Sequence, residues 1–306
     1  MTGNDIAAAL RRAAEALEDR RSELDALNVF PVPDGDTGAN MNMTLSASAE
    51  AAGAFPGDSS ACAVMDHAAS AALLAARGNS GVILSLILRG FARAVHSRGT
   101  LTGADIAAGL SLGAKYAYDA VLDPLEGTIL TVARRAAEGA QKAAEAGSPP
   151  CGVLRGALAE AERALAETTK LLPELERAGV VDAGGQGLVY ILRAIAGDRR
   201  QETGGNQDSG FRKKGTGGRA IRKDDLPYAY CLDFILRGRT DTEALRERLS
   251  QMGGSLIIAG EDGELLKVHL HTNSPEDVLR AVSGYGEITS EKIEDMRRTS
   301  SGEKLT

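Results

Sequence analysis

Tryptophan is absent from this chain of 306 residues, and aromatic side chains make up only 4% of it. A core with so few large rings has to close space with small side chains, and alanine is abundant. That favours helices packed on small residues over an aromatic-rich β architecture. Cysteine is scarce too: Cys62, Cys151 and Cys231 are odd in number and widely spaced. They form no disulfide framework and point to a reducing compartment. No hydrophobic run is long; the best, residues 82–88, is far too short to span a bilayer. The N-terminus sets Asn4, Asp5, Arg11, Arg12 and Glu15 among alanines and lacks the apolar core of a secretion signal. These absences together predict a cytoplasmic protein. Positive charge is also in deficit, with a net charge of −7, which argues against nucleic acid as the main partner. What remains, 43% apolar and 25% charged residues, is the composition of a globular protein with one large or two ordinary domains.

Helical spacing dominates the first two thirds. Ile6, Leu10, Ala13 and Leu17 recur at helical intervals, as do Ile83, Ile87, Phe91 and Val95. Further helical blocks are predicted near 104–121, 128–146, 153–171 and 187–196, punctuated by Gly99, Asp123-Pro124, Ser148-Pro149-Pro150 and Gly184-Gly185. Residues 1–198 thus read as an all-α bundle of about eight helices. Over 199–225 the character changes: Gly204, Gly205, Gly210, Gly215, Gly217 and Gly218 surround Arg212, Lys213 and Lys214. Such composition cannot bury a core and predicts a flexible linker. Its basic cluster is either solvated or meets phosphate or a membrane surface. From Leu226 the period becomes two, with Tyr230, Leu232, Phe234 and Leu236 alternating with Ala229, Cys231, Asp233 and Ile235. Helices near 242–252 and 275–282 and extended runs at 255–259 and 265–271 predict a small α+β domain, β-α-β-β-α, over 226–298. Residues 299–306 form a tail.

The run 28–41, "NVFPVPDGDTGANM", carries the strongest chemistry. Asp34 and Asp36 stand one glycine apart, with Asn28 just upstream. Hard oxygen donors this close suit Mg²⁺, which takes few protein ligands and fills its other positions with water and phosphate oxygens. Gly35 and Gly38 let the backbone turn so that both carboxylates reach one spot. Thr37, Asn40 and the first N–H groups of the following helix are placed to meet phosphate. The competing explanation is an ordinary Asp-Gly surface turn. Three other segments have related chemistry. Arg77-Gly78-Asn79-Ser80-Gly81 feeds a helix start, and Glu126-Gly127-Thr128 places Thr128 where N-capping is the default. In 181–187 three glycines let a flat ligand approach the backbone.

In the second domain His269 and His271 lie two apart on a predicted strand and share a face, opposite Leu266, Val268 and Leu270. Cys231 and Asp233 fall on the less apolar face of the first strand. If these strands share a sheet, Cys231, His269 and His271 converge as a three-ligand site suited to Zn²⁺ with an open fourth position. Two exposed strand histidines and an unrelated cysteine are the alternative. Cys62 and Cys151 lack neighbouring ligands, and His67 and His96 read as structural.

Taken in order, "NVFPVPDGDTGANM", "ARGNSG", "EGTIL" and "VDAGGQGLV" resemble the dihydroxyacetone-kinase-like nucleotide-binding domain of the DhaL type, across nearly all of 1–198. The segments "YCLDFIL", "GGSLIIAG", "LLKVHLHTNSPEDVL" and "YGEITSEKIEDMR" resemble the middle domain of the bacterial fatty acid kinase catalytic subunit, to about Arg298. The resemblance implies an antiparallel helical barrel holding ATP or ADP and two Mg²⁺ ions at one end. It makes Asn28, Asp34 and Asp36 the metal ligands and puts Thr37, Asn40, Asn79, Ser80 and Gly81 around the phosphates. Gly38 and Met41 count among the nucleotide-binding residues, and Thr128, Asp182 and Gly184 lie toward the nucleoside. It associates Cys231, His269 and His271 with a metal and with activity. The resemblance implies that family members continue into a third domain beyond the stretch matched here.

The expected function is therefore ATP-dependent phosphoryl transfer. By resemblance the acceptor is the carboxylate of a fatty acid presented by a separate binding protein, and the product is an acyl phosphate. A carboxylate is already deprotonated at neutral pH, so no strong base is required. Asp34, Asp36, His269 and His271 are the candidate catalytic residues, and self-association as a homodimer is compatible with the sequence. Two other functions stay open: phosphorylation of a small hydroxy-ketone of the dihydroxyacetone type, and a nucleotide- and metal-binding regulatory module without turnover.

Overall fold

The computed structural model describes residues 1–198, 226–261 and 264–297. The segment 199–225 and the tail 299–306, read from sequence as linker and tail, lie outside the described residues.

The N-terminal part holds α1 (Gly3–Asp19), α2 (Arg21–Leu27), α3 (Thr37–Gly53), α4 (Ala61–Ala75), α5 (Gly78–Ala94), α6 (Gly103–Ala120), α7 (Ile129–Glu145), α8 (Pro150–Leu171), α9 (Pro173–Ala178) and α10 (Ala183–Ala196). Eight are long and two, α2 and α9, are short, of 7 and 6 residues. The long ones pack as a closed ring in the order α1, α3, α4, α5, α6, α7, α8, α10 and back to α1. This is the antiparallel helical barrel. Local sequence sets the boundaries. At α1 the Thr2 hydroxyl accepts the Asp5 N–H at 3.2 Å while the Asp5 carboxylate accepts the Thr2 N–H at 2.8 Å, and Thr102 and Asp105 repeat this reciprocal cap at α6. Ile6, Leu10, Ala13 and Leu17 are all buried, as the spacing requires.

Helix α10 starts earlier than the periodicity suggests. Gly184, Gly185 and Gly187 form its first turns rather than a loop, because Asp182 caps it by accepting the Gly185 N–H at 2.7 Å. Glycines also let helices touch. A Cβ on Gly113 of α6 would stand 2.6 Å from the Ile87 carbonyl oxygen of α5, and one on Gly139 of α7 would stand 2.4 Å from that of Gly156 in α8.

The C-terminal part is a four-stranded antiparallel sheet of β1 (Tyr230–Arg237), β2 (Gly254–Glu261), β3 (Leu265–Thr272) and β4 (Glu287–Asp295) in the order β2-β3-β1-β4, with α11 (Thr242–Ser250) and α12 (Pro275–Val282). Strand β4 corrects the predicted β-α-β-β-α order by adding a strand at its end. One face buries Leu232, Phe234, Leu236, Val268 and Leu270 with Leu245, Leu249, Val278 and Val282 from the two helices. The other face turns toward the barrel. Its Ile257 and Ala259 join the barrel's own core, the Leu122 N–H donates to the Leu256 carbonyl at 3.2 Å, and the Arg246 guanidinium donates to the Ala120 carbonyl at 3.2 Å. Among the described residues no helix is long and apolar enough to cross a membrane.

Two outcomes are expected in chemical or thermal unfolding. Gly113→Ala forces α5 and α6 apart and lowers stability by about 1–3 kcal/mol, the usual cost of overpacking. Gly53→Ala, in α3 with open space around it, is neutral or stabilising. Burial pushes the Asp182 carboxyl up from its ordinary 3.8 to about 6, against its backbone hydrogen bonds. The unfolded chain therefore ionises first, and stability falls as pH rises from 3.8 to 6 and stays low above. Asp182→Asn keeps the cap. It should raise the melting temperature at pH 8, by up to about 3 kcal/mol of stability, and change little at pH 4.

Candidate functional site

A cavity of about 470 Å³ opens where the sheet covers one end of the barrel. The segment between α2 and α3 reaches it first, passing through a cis Phe30–Pro31 peptide. Gly35 has φ +74°, which lets the chain fold between Asp34 and Asp36. Asn28, Asp34, Asp36, Thr37 and Asn40 all line the cavity. So do Asn79 and Ser80 from the start of α5, Thr128 before α7, and Asp182 with Gly184 at the start of α10. The four segments singled out in sequence thus meet in one place. Cys231, His269 and His271 line the same cavity from the sheet side.

Electrostatics at the acidic cluster are unbalanced. The Asn28 amide N–H donates to Asp34 at 2.6 Å, and its carbonyl oxygen is buried with no partner. Burial, then the charge of Asp36, pushes Asp34 well above the usual carboxylate range. Burial likewise raises Asp36, although hydrogen bonds from Asp34 and Asn40 work against it. An orphaned amide oxygen beside two carboxylates that resist ionising together is the donor set a hard divalent cation fits.

The sheet side has a second such set. The ligand atoms of Cys231, His269 and His271 lie within 4.8 Å of one another, and all three residues are buried. The exposed-histidine alternative is therefore excluded: His269 is 0% and His271 5% exposed. The His269 Nε2 is buried without a partner. Burial and nearby carboxylates push the Cys231 thiol well up, while burial and then His269 push His271 down to about 3. A soft thiol with two imidazoles fits a zinc-type cation, whose charge would favour the thiolate that burial opposes.

Three of the sequence candidates stand behind the cavity wall. Gly38 packs on α2, where a Cβ would meet the Arg21 carbonyl at 2.4 Å, and its N–H donates to Asp25 at 2.7 Å. Two amides expected to face phosphate, those of Gly38 and Ala39, are thus taken by Asp25. Met41 is fully buried against Gly187, and Gly81 lies against Thr44 and Asn40 of α3. Gly78 does what its motif suggested: its φ of +58° and the Asn40 amide, 2.4 Å from any Cβ there, exclude a side chain. Thr128 lines the cavity and is also the expected N-cap, accepting the Leu130 N–H at 3.3 Å. Of the remaining cysteines and histidines, Cys151 is exposed, His67 stacks edge-on to Phe55 and His96 faces Asp66 at 3.8 Å.

Sequence reasoning missed β4. Lys292 and Glu294, an ion pair, sit opposite Asp233 and Cys231 in register and line the cavity with Met296. Among the described lining residues Lys292 is the one lysine or arginine. Apolar groups complete the wall, including Phe30, Val32, Ile83, Leu122 and Ile257.

Comparison with known proteins agrees with this architecture. The family model for the DAK2 domain matches residues 31–197, and the model for the FakA-like middle domain of fatty acid kinase matches 227–302. An uncharacterized protein of Staphylococcus saprophyticus is 38% identical over 96% of this chain and 55% of its own length. Protein YloV of Bacillus subtilis is 35% identical over 97% of this chain and 56% of its own. The chain spans about half the length of the curated relatives it matches. Among solved structures, a dihydroxyacetone kinase from C. freundii in complex with AMP-PNP and Mg²⁺ aligns with a TM-score of 0.48 at 19% identity, over 62% of this chain and 33% of that one. With the DAK2 model covering more than half of its residues, this chain belongs to the DAK2-domain family, and its helical part is a kinase-like module.

Proposed function

We propose that this chain binds a magnesium nucleotide in the cavity and transfers its terminal phosphoryl group to the carboxylate of a fatty acid delivered by a separate carrier protein. The observation that carries the nucleotide half is the unbalanced cluster of Asn28, Asp34 and Asp36, set in one cavity with the helix starts at 78–80 and 182–184. The acceptor half is supported by the match of residues 227–302 to the FakA-like middle domain of fatty acid kinase, and by the apolar part of the wall.

Asn28, Asp34 and Asp36 would hold two Mg²⁺ ions, which supply charge neutralisation at the transferring phosphoryl group. Thr37, Asn40, Asn79 and Ser80 offer hydroxyl and amide groups to the phosphate oxygens, and Thr128, Asp182 and Gly184 border the nucleoside. The sheet excludes water from this end of the barrel and so strengthens each of these contacts. No nucleophile from the chain is needed, since the acceptor carboxylate attacks the phosphorus itself. Cys231, His269 and His271 would hold a Zn²⁺ ion that helps to place the acceptor.

Three measurements test this. Calorimetric titration should show Mg²⁺-dependent ATP binding, weakened by more than about 100-fold in Asp34→Ala or Asp36→Ala, beyond what loss of a supporting contact costs. ATP consumption should require a lipid-loaded carrier; consumption with dihydroxyacetone instead would replace the fatty acid acceptor, and binding without turnover under any acceptor would leave a regulatory module. Elemental analysis should find zinc in the wild type and a reduced content in His269→Ala. Its absence from both would end the zinc assignment.

A further inference from the structure

Asp233 belongs to none of the ligand sets above, yet it touches both halves of the cavity. It sits on β1 directly opposite His269 of β3 in the antiparallel register, where facing side chains are neighbours. It is 3% exposed. One carboxylate oxygen, Oδ1, lies 3.1 Å from His269 Nδ1. The other, Oδ2, accepts the N–H of Gly78 at 3.4 Å, across the gap between sheet and barrel.

We propose that Asp233 is a positioning residue that aligns the two sides of the site through one carboxylate. Toward the sheet it keeps the proton of His269 on Nδ1, which leaves Nε2, otherwise buried and unpartnered, as the nitrogen that meets a ligand. Toward the barrel it anchors the first amide of α5, and with it the turn that presents Asn79 and Ser80. Its two oxygens thus face the His269 ring and the Gly78 N–H separately, with the Cys231 thiol 3.9 Å from Oδ2. Seating of the sheet and the shape of the phosphate-side turn are then one event. The inference rests on the phosphoryl-transfer reading for its role in turnover, but its geometry does not.

The test is nitrogen-15 NMR of the histidine rings in the full chain, with Asp233→Leu, Asp233→Asn and a Leu232→Ala control. The wild type should show His269 protonated at Nδ1. Asp233→Leu, of similar size but without acceptors, should move the proton to Nε2 in a substantial fraction of molecules. It should also weaken Mg²⁺–ATP binding and slow phosphoryl transfer by about 10–100-fold, the range for supporting contacts to a site. Leu232→Ala, which opens the core on the far face, should lower the melting temperature and leave the His269 signals in place. If Asp233→Leu does not fold, Asp233→Asn decides: it retains one good acceptor and should disturb either the His269 signals or ATP binding. Unchanged His269 signals together with unchanged ATP affinity in whichever variant folds would overturn the proposal. Loss of the His269 signature in a chain that binds no ATP, even as wild type, would instead retain Asp233 as an aligning residue and refute the nucleotide reading.

Discussion

Acid without a counter-ion is the constraint from which the site follows. Asp34, Asp36, Asp182 and Glu294 share a cavity in which Lys292 is the single lysine or arginine among the described lining residues, and Lys292 is already paired with Glu294. The sheet leaves Asp34, Asp36 and Glu294 only partly exposed and Asp182 buried, which weakens the screening that water would provide. Burial accordingly raises Asp34, Asp36 and Asp182 together. A folded chain gains nothing from such an arrangement by itself, since each uncompensated buried charge costs several kcal/mol. On the proposed function it becomes intelligible: a divalent cation and a polyanion would enter as a unit, the cation facing the acids and the phosphates facing the helix starts.

The sheet makes that enclosure possible because both of its faces are covered. Antiparallel sheets commonly turn one face to solvent. Here α11 and α12 cover the leucine- and valine-rich face, and the barrel covers the other. The inward face can therefore carry Cys231, Asp233, Lys267, His269 and His271, all buried. Its cohesion with the barrel comes from a few specific links around Val121, Leu122 and Ala120 and from Ile257 and Ala259. Charged residues would find no stable place on that face if the apolar face did not supply the domain's core.

The all-α bundle was legible from the chain alone, because 3.6-residue periodicity is a local signal, whereas its closure as a barrel and the meeting of the four motif segments followed from the family resemblance. The errors came where three-dimensional packing decides. Within 37–41 the motif is continuous, but a helix sends Thr37 and Asn40 to one side and Gly38 and Met41 to the next, so only the first pair reaches the cavity. The α10 start was placed too late because glycines read as a loop, whereas the Asp182 cap holds them helical. Strand β4 escaped notice because EITSEKIED offers little but Ile288 and Ile293 as apolar signal, as befits a charged edge strand. Asp233 was placed beside Cys231 on the less apolar face but given no role, since its importance depends on the register that sets it against His269.

The distribution of apolar surface bears on which acceptor the cavity suits. Val32 packs with Cys231 and Met296 in a small cluster of their own, flanked by Leu226 and Tyr228. That cluster ties the loop carrying Asp34 and Asp36 to the strand carrying Cys231, and Phe30, Ile83, Leu122 and Ile257 add apolar side chains to the cavity wall. A triose, polar over its whole surface, would gain no burial energy from them. An acceptor with an anionic head and a hydrocarbon body would gain about 25 cal/mol for each Å² of chain it hides there. On the proposed function, such a molecule would lay its body on this apolar wall with its head near Cys231, His269 and His271, and would present a carboxylate without an added base. Within the proposed function, this apolar lining supports an amphiphilic carboxylate over a small hydroxy-ketone as the acceptor.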